Sequence, residues 1–286
     1  MPRERLDTTL LLLPAALFLL IWFVIPLSRL MSLAFVSDPA AADVGIGGGA
    51  FANFAILLNS SVYLRVLANT LLVSALVTVI TLVLAWPVAY MLTKLKGPLF
   101  VVTLYGVLFP LWISVLVRTF SWMLLLERGG PVNRLLLASG LTDHPLALLF
   151  NETGVVIGMV HVLLPYAILP LYSAMNRIDG RLLMASDGLG AGVMDTFRRV
   201  YLPLCLPGLF GGGTFVLLLS LGFFITPALL GGANAMTLSM LISSFVTDRL
   251  AWSLAAAGSL LLLVIVLVLL GLTMKLLPLD KGMFAK

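Results

Sequence analysis

Charged residues are scarce in this chain, and their scarcity limits the kinds of protein it can be. Only 10% of its 286 residues are Asp, Glu, Lys or Arg, whereas 61% are hydrophobic. A water-soluble domain cannot keep so large an apolar fraction away from solvent, but a lipid bilayer can surround it. The composition therefore predicts an integral membrane protein.

Residue types that build catalytic or metal centres are equally scarce. Cys205 is the only cysteine, so an intramolecular disulfide framework is excluded. His144 and His161 are the only histidines, and no H-E-x-x-H motif or carboxylate pair accompanies them. Asp143, His144 and Glu152 share one mixed polar stretch, which is more often solvated than bound to a metal. We therefore expect no catalytic residue, no metal and no cofactor in this chain.

Six stretches with little or no charge are long enough to cross a bilayer, since about 20 helical residues span its hydrocarbon core. They are residues 9–28, 66–92, 98–117, 153–175, 207–230 and 252–274. We predict an all-α membrane protein with one domain over residues 1–286, and Asn151 or Thr153 as the cap of the fourth helix.

A cleaved signal peptide is the alternative for the first stretch, but that stretch is too long for a signal peptide. The polar residues 118–152 should lie outside, with the part around Trp122 in the interface or dipping back into the protein.

The lysines and arginines predict the orientation of the chain. With the N-terminus in the cytoplasm, eleven of the 17 fall on inner segments and six on the longer outer ones. The positive-inside rule then places both termini, and the loop of residues 177–206, in the cytoplasm. The net charge of +5 is explained by this orientation, and no basic cluster interleaved with aromatic residues indicates a nucleic-acid partner.

The inner loop differs in composition from the spans around it. Residues 182–209 contain small residues, glycines, a basic pair and two prolines. Because bulky side chains are few, another protein could approach this surface closely. Pro203 and Pro207 are expected to break the chain, so we predict a short helix, a turn and a second short helix. The candidate contact residues are Met184, Ala185, Ser186, Asp187, Gly188, Gly190, Ala191, Phe197, Arg198, Arg199 and Pro203.

This loop resembles the cytoplasmic signature loop of the membrane subunits of binding-protein-dependent ABC importers, approximately E-A-A-x-x-x-G, nine residues and I/V-x-L-P. Residues 184–186 stand at E-A-A, Gly190 at the glycine, and residues 200–203 at the closing element. The resemblance implies the type I, MetI-like permease fold and a coupling helix that docks into a groove on an ATPase subunit. Met184 replaces the usual glutamate, so docking is expected to depend on shape and on Arg198 and Arg199.

Two further motifs resemble the polyamine-type permeases of this family. R-T-F-S-W at 118–122, followed by G-G-P-V-N at 129–133, is similar to their R-T-x-x-W…G-x-x-N segment, and residues 221–232 resemble their F-V-x-P-x-L-L-G-G element. Some relatives that import cations have an acidic residue at the position of Phe223 in this chain. Without that acidic residue, the rings of Phe223, Phe224 and Tyr166 would either hold an organic cation by cation–π contact or only pack in the core. The resemblance suggests Arg118, Trp122, Gly129 and Asn133 for contact with the binding protein, and Tyr166, Phe223, Phe224 and Thr226 for the translocation pathway.

The resemblance implies a bacterial inner-membrane permease that works with a second, homologous permease, two ATPase subunits, a periplasmic binding protein and membrane lipid. A separate ATPase is needed because the chain has no G-x-x-x-x-G-K-[ST] loop. The alternative, a stand-alone ion-coupled carrier, usually has titratable groups at membrane depth, where this chain has only His161. A membrane-embedded enzyme or scaffold would need a reactive residue set that is absent. Polyamines are the expected solute, ahead of amino-acid derivatives, phosphonates and iron chelates.

Overall fold

The computed structural model describes residues 13–37, 49–232 and 235–276, and these residues fold into α-helices joined by short connections. Their long apolar runs favour helices because every backbone group is then hydrogen-bonded within its own segment. The helices are α1 Leu13–Leu33, α2 Ala52–Asn59, α3 Ser61–Lys94, α4 Gly97–Trp112, α5 Val115–Leu126, α6 Pro131–Ala138, α7 Glu152–Asn176, α8 Gly180–Gly188, α9 Val193–Leu221, α10 Ile225–Leu230, α11 Leu238–Thr247 and α12 Trp252–Leu276.

Five of these helices are long and apolar enough to cross a membrane by themselves: α1, α3, α7, α9 and α12. A sixth crossing is made if α4 is counted with the segment Val115–Ala138, from which it is bent by 101°. The predicted number of six spans is therefore reached only with a strongly bent third span. The predicted fourth and sixth spans, residues 153–175 and 252–274, match α7 and α12 to within two residues at each end.

The first two spans extend beyond their predicted limits. Helix α1 continues to Leu33 and includes Arg29, and α3 begins at Ser61 and includes Arg65. Both arginines were predicted to lie in outer loops, whereas the structure places them on helices. A long arginine side chain can extend along a helix towards water, so one charge does not end a span. Residues 9–12 of the predicted first span lie outside the described residues.

The third span ends earlier than predicted. Residues 98–117 were expected to form one helix interrupted at Pro110, but α4 runs through Pro110 and ends at Trp112. Ile113 and Ser114 adopt extended backbone angles, with ψ of 133° and 134°, and α5 then begins in a new direction. The prediction that the chain around Trp122 dips back into the protein agrees with this bend. Residues 115–117 therefore belong to the bent segment that follows α4 and not to α4 itself.

The contacts divide the chain into two compact units. Of the described residues, one unit contains 13–37, 49–65 and 241–264, and the other contains 66–232, 235–240 and 265–276. In the first unit, the side-chain amide of Asn53 donates hydrogen bonds to the carbonyl groups of Ala34 and Val36 at 2.9 and 2.8 Å. The second unit contains the loop of residues 177–206 and most of the buried apolar core.

Helices α7 and α9 form the centre of the second unit. Asn151 caps α7 as expected, because its side-chain oxygen accepts a hydrogen bond from the Gly154 N–H at 3.0 Å. Two glycines of α9 allow the helices to touch: a methyl group on Gly208 would lie 2.9 Å from the Pro170 carbonyl oxygen, and one on Gly212 would lie 3.1 Å from that of Ala167. This close approach by small residues is typical of helix packing in membranes.

Candidate functional site

The loop between α7 and α9 folds into the predicted short helix and turn. Helix α8 is capped by Asp179, whose carboxylate accepts a hydrogen bond from the Arg181 N–H at 2.9 Å. It ends in a turn where Gly190 has a φ of 82°, in the left-handed region. Only glycine adopts this conformation without strain. Gly190 therefore determines how the chain reverses between α8 and α9.

The second part of the loop differs from the prediction. No break occurs at Pro203 or Pro207, since the helix that starts at Val193 continues to Leu221. A π-helical turn, Phe197–Tyr201, precedes Pro203, and the Leu202 N–H bonds to the Phe197 carbonyl five residues back. The wider π turn accommodates a proline that cannot donate its own hydrogen bond. The loop is thus continuous with the fifth span, which begins before the predicted residue 207.

A hydroxyl pair joins the two arms of the loop. Ser186 Oγ lies 2.9 Å from Thr196 Oγ1, and Thr196 is buried, with 9% of its surface exposed. Thr196 Oγ1 also lies 3.5 Å from a carboxylate oxygen of Asp187. Ser186 and Asp187 were candidates in the sequence, but Thr196 was missed because only the fold brings it beside them. These contacts hold α8 against the start of α9.

The opposite side of the loop is exposed and apolar. Met184 is 66% exposed, Leu189 90%, Val193 88% and Met194 68%, and we call these four residues the coupling-loop patch. Such a cluster of apolar side chains normally marks a surface that another molecule covers. Most of the predicted contact residues lie beside it on exposed or half-exposed positions, including Arg198 and Arg199. Arg199 also pairs with Asp195 at 3.4 Å. Their role in docking stays a prediction.

Aromatic side chains connect the loop to the end of α3. The Trp86 ring lies 6.0 Å from Phe197 and 6.4 Å from Tyr201, and Tyr90 lies 6.0 Å from Tyr201, measured between ring centroids in edge-on arrangements. A cavity of about 260 Å³ lies between these rings and Leu183 of α8. Phe197, which the sequence predicted for ATPase contact, is thus partly occupied in packing against α3. A movement of the loop would therefore reach α3 as well as α7 and α9.

A second cluster lies where two interrupted helices meet inside the bundle. The chain is broken between α4 and α5 and again at residues 222–224 between α9 and α10. Thr119 of α5 and Thr226 of α10 are fully buried and hydrogen-bonded to each other at 3.0 Å. Paired helix breaks of this kind form solute sites in other membrane transporters. The bond explains why Thr226 faces α5.

The other three pathway candidates have different surroundings. Tyr166 is half-buried and stacks on Phe215 with ring centroids 6.0 Å apart. Phe223 packs against the buried core, whereas Phe224 is 42% exposed. All four candidates lie in the second unit, but they have different neighbours. Their role in the pathway stays a prediction.

The four residues predicted to meet the binding protein are mostly not on the surface. Arg118 is only 7% exposed and Asn133 is fully buried, while Trp122 is half-buried and Gly129 is exposed. The Asn133 side chain bonds to the Glu127 carbonyl and to both the N–H and the carbonyl of Leu146, at 2.8 to 3.1 Å. Asn133 thus holds its own loop together. Arg118 and Asn133 are therefore not exposed on the described part of this chain, and contact of the four residues with a binding protein stays a prediction.

Solved structures with this fold are ABC importers. A chain of a bacterial ABC transporter that imports the acidic polysaccharide alginate is 20% identical, with a TM-score of 0.72, covering 96% of this chain and 97% of that one. A chain of the MetNI methionine ABC transporter, in an inward-facing conformation, is 18% identical with a TM-score of 0.57, covering 74% and 93%. The chain therefore has the fold of an ABC importer permease. No protein-family model matches it.

Similar sequences define the family more narrowly. The spermidine/putrescine permease PotB of Haemophilus influenzae is 36% identical over 217 residues, 76% of each chain. PotB of Escherichia coli is 33% identical over 213 residues, which cover 74% of this chain and 77% of that one. An inner-membrane ABC transporter permease of Escherichia coli, YdcU, is 34% identical over 194 residues. This chain belongs to the family of multi-pass ABC importer permeases that includes the spermidine/putrescine permeases.

Proposed function

We propose that this permease subunit forms half of the translocation pathway of an importer whose ATP hydrolysis takes place on separate ATPase subunits. The observation that supports this most directly is the coupling-loop patch, four apolar side chains that protrude from a loop joined at both ends to long apolar helices. An apolar protrusion beside the basic Arg198 and Arg199 matches a partner with an apolar groove and acidic rim. We assign that partner as the ATPase subunit.

The packing around the loop explains how such a partner would drive transport. Helix α8 follows α7 after three residues and is held to the start of α9 by Ser186 and Thr196. Helices α7 and α9 touch through Gly208, where a methyl group would clash, and through Gly212, where a methyl group would be in tight contact with α7. A force on the patch would therefore displace both helices together and shift the balance between inward-open and outward-open states.

We also propose the orientation and the solute. Most lysines and arginines fall on the side of the coupling loop, so this loop and both termini lie in the cytoplasm. A polyamine-like cation is the proposed solute, because PotB relatives are named for spermidine and putrescine. The proposed partners are a second, homologous permease and a periplasmic binding protein on the opposite face, with lipid around the bundle.

Uptake of labelled spermidine into proteoliposomes tests this function. The complete assembly, with ATPase and binding protein, should accumulate spermidine only when ATP reaches the ATPase. Gly190→Val should reduce this uptake about tenfold or more, since a β-branched residue in the left-handed region costs about 1–2 kcal/mol and displaces the turn. Gly192→Val is the matched control, because Gly192 has an ordinary φ of −69° and open space around it. Gradient-driven uptake by the purified chain alone would instead support the ion-coupled carrier.

A further inference from the structure

Arg118 is a buried cation for which the described part of the chain provides no counter-charge. It lies on α5, is 7% exposed, and its Nε and Nη1 atoms have no hydrogen-bond partner among the described residues. A buried guanidinium normally binds a carboxylate or several carbonyl groups, because the loss of hydration is otherwise not offset. These two nitrogens carry three N–H groups, which an acceptor from outside the described residues can bind.

A second polar group with a free position lies beside it. His161 of α7 packs against α5 at Trp122, one helical turn after Arg118, and its buried Nδ1 atom also has no partner within the described residues. The His161 ring contacts Trp122, with ring centroids 5.5 Å apart, and Tyr166 is an electrostatic neighbour of Arg118. These side chains come from α5 and α7, directly beside the Thr119–Thr226 bond that joins the two interrupted helices.

The described helices that could cross the membrane contain no acidic residue to neutralise Arg118. Within the candidate spans and the bent segment, acidic residues occur only as Glu127, Glu152 and Asp195, and all three are exposed. Asp195 is already paired with Arg199. The counter-charge for Arg118 must therefore come from outside this set of helices.

We propose that Arg118, with His161 beside it, is the binding site for one carboxylate group. A guanidinium binds a carboxylate through charge-assisted N–H···O hydrogen bonds. The partnerless Nε and Nη1 lie on different edges of the group, so each can donate to a carboxylate oxygen on its own edge. The carboxylate comes from the transported solute or from the neighbouring permease subunit. The inference rests on the proposed function, because both sources belong to an assembled importer. Spermidine and putrescine have no carboxylate, so the solute is the source only if it is an amine that also bears a carboxylate, and otherwise the neighbouring permease is the source.

Putrescine and ornithine form a matched pair of probes, since ornithine is putrescine with one added carboxylate. If the solute supplies the carboxylate, ornithine should raise the melting temperature of the assembled transporter more than putrescine does. In Arg118→Gln the extra shift should disappear, with ornithine binding weakened about 100-fold, while Arg118→Lys should keep part of it. Arg128→Gln, which removes an exposed arginine, should behave as the wild type.

If the neighbouring permease supplies the carboxylate, ornithine and putrescine should change the melting temperature of the assembled transporter equally. Arg118→Gln should then lower the melting temperature without any solute and weaken the association of the two permeases about 100-fold, because a buried carboxylate stays behind without its partner. The proposal is overturned if ornithine acts like putrescine on the wild type and Arg118→Gln keeps the association and an unchanged or higher melting temperature. The melting temperature and the association of the two permeases are both measured without ATP or uptake. Failure of the proposed function is detected separately, in the spermidine uptake assay.

Discussion

At the scale of single residues, Leu189 shows most clearly how the loop is built for a partner. Its side chain is 90% exposed, directly before the Gly190 turn, and it has apolar neighbours in Val193 and Met194. Burying such a side chain in a partner contributes about 1.5–3 kcal/mol. Thr196 has the opposite role, because it is buried and holds the two arms of the loop together. Leu189 thus provides exposed apolar surface, and Thr196 fixes the position of the loop that carries it.

Replacing Leu189 with Asp should weaken binding of the ATPase subunit about 10- to 100-fold, since the apolar contact is lost and a charge is introduced. Copurification of the two subunits at several protein concentrations measures this affinity. Leu141→Asp is the control, because Leu141 is 73% exposed but lies in the distant loop after α6. Equal affinities for the two variants would contradict docking at the patch.

At the scale of helices, we expect the tight contact between α7 and α9 to transmit movement of the loop. Gly208→Ala should lower the melting temperature, because the added methyl group would meet the Pro170 carbonyl and the Leu171 backbone at 2.9 and 3.2 Å. Overpacking of this kind typically costs about 1–3 kcal/mol. Gly211→Ala is the matched control on the same helix, with no atom within 4 Å of the new methyl group. It should be neutral or stabilising, since alanine favours a helix.

A melting temperature for Gly208→Ala at or above that of Gly211→Ala would show that the two helices are not in tight contact. Uptake measured on the same variants separates stability from coupling. Gly208→Ala should also slow transport if α7 and α9 move as one body.

The sequence predicted five of the spans as single long helices, the helix and turn of the loop, and the cap at Asn151, because long apolar runs, short motifs and capping residues are local signals. It did not predict where α4 ends, since the extended backbone at Ile113 and Ser114 depends on what α5 packs against. The burial of Arg118 and Asn133 was missed for the same reason. Polar residues in a polar stretch suggest a surface, and only the fold shows that α5 turns inward.

At the scale of the whole molecule, this family member is a helical membrane protein with an exposed coupling-loop patch and a buried arginine. We propose the patch as the docking surface for an ATPase subunit and the arginine as the binding site for a carboxylate; the structure shows that the patch is exposed and that the arginine is buried. Both features look incomplete in a single chain, as expected for one subunit of a larger assembly. Its relatives in Haemophilus influenzae and Escherichia coli are likewise permease components of transport systems.

Photo-crosslinking from position 189 tests the central claim, that the coupling-loop patch docks on the ATPase, most directly. A photoreactive amino acid in place of Leu189 should form a covalent adduct with the ATPase subunit in intact membranes, while the same group in place of Leu141 should not. An adduct between position 189 and the ATPase confirms the docking surface. No adduct with the ATPase from position 189, or an adduct with the binding protein, would contradict it.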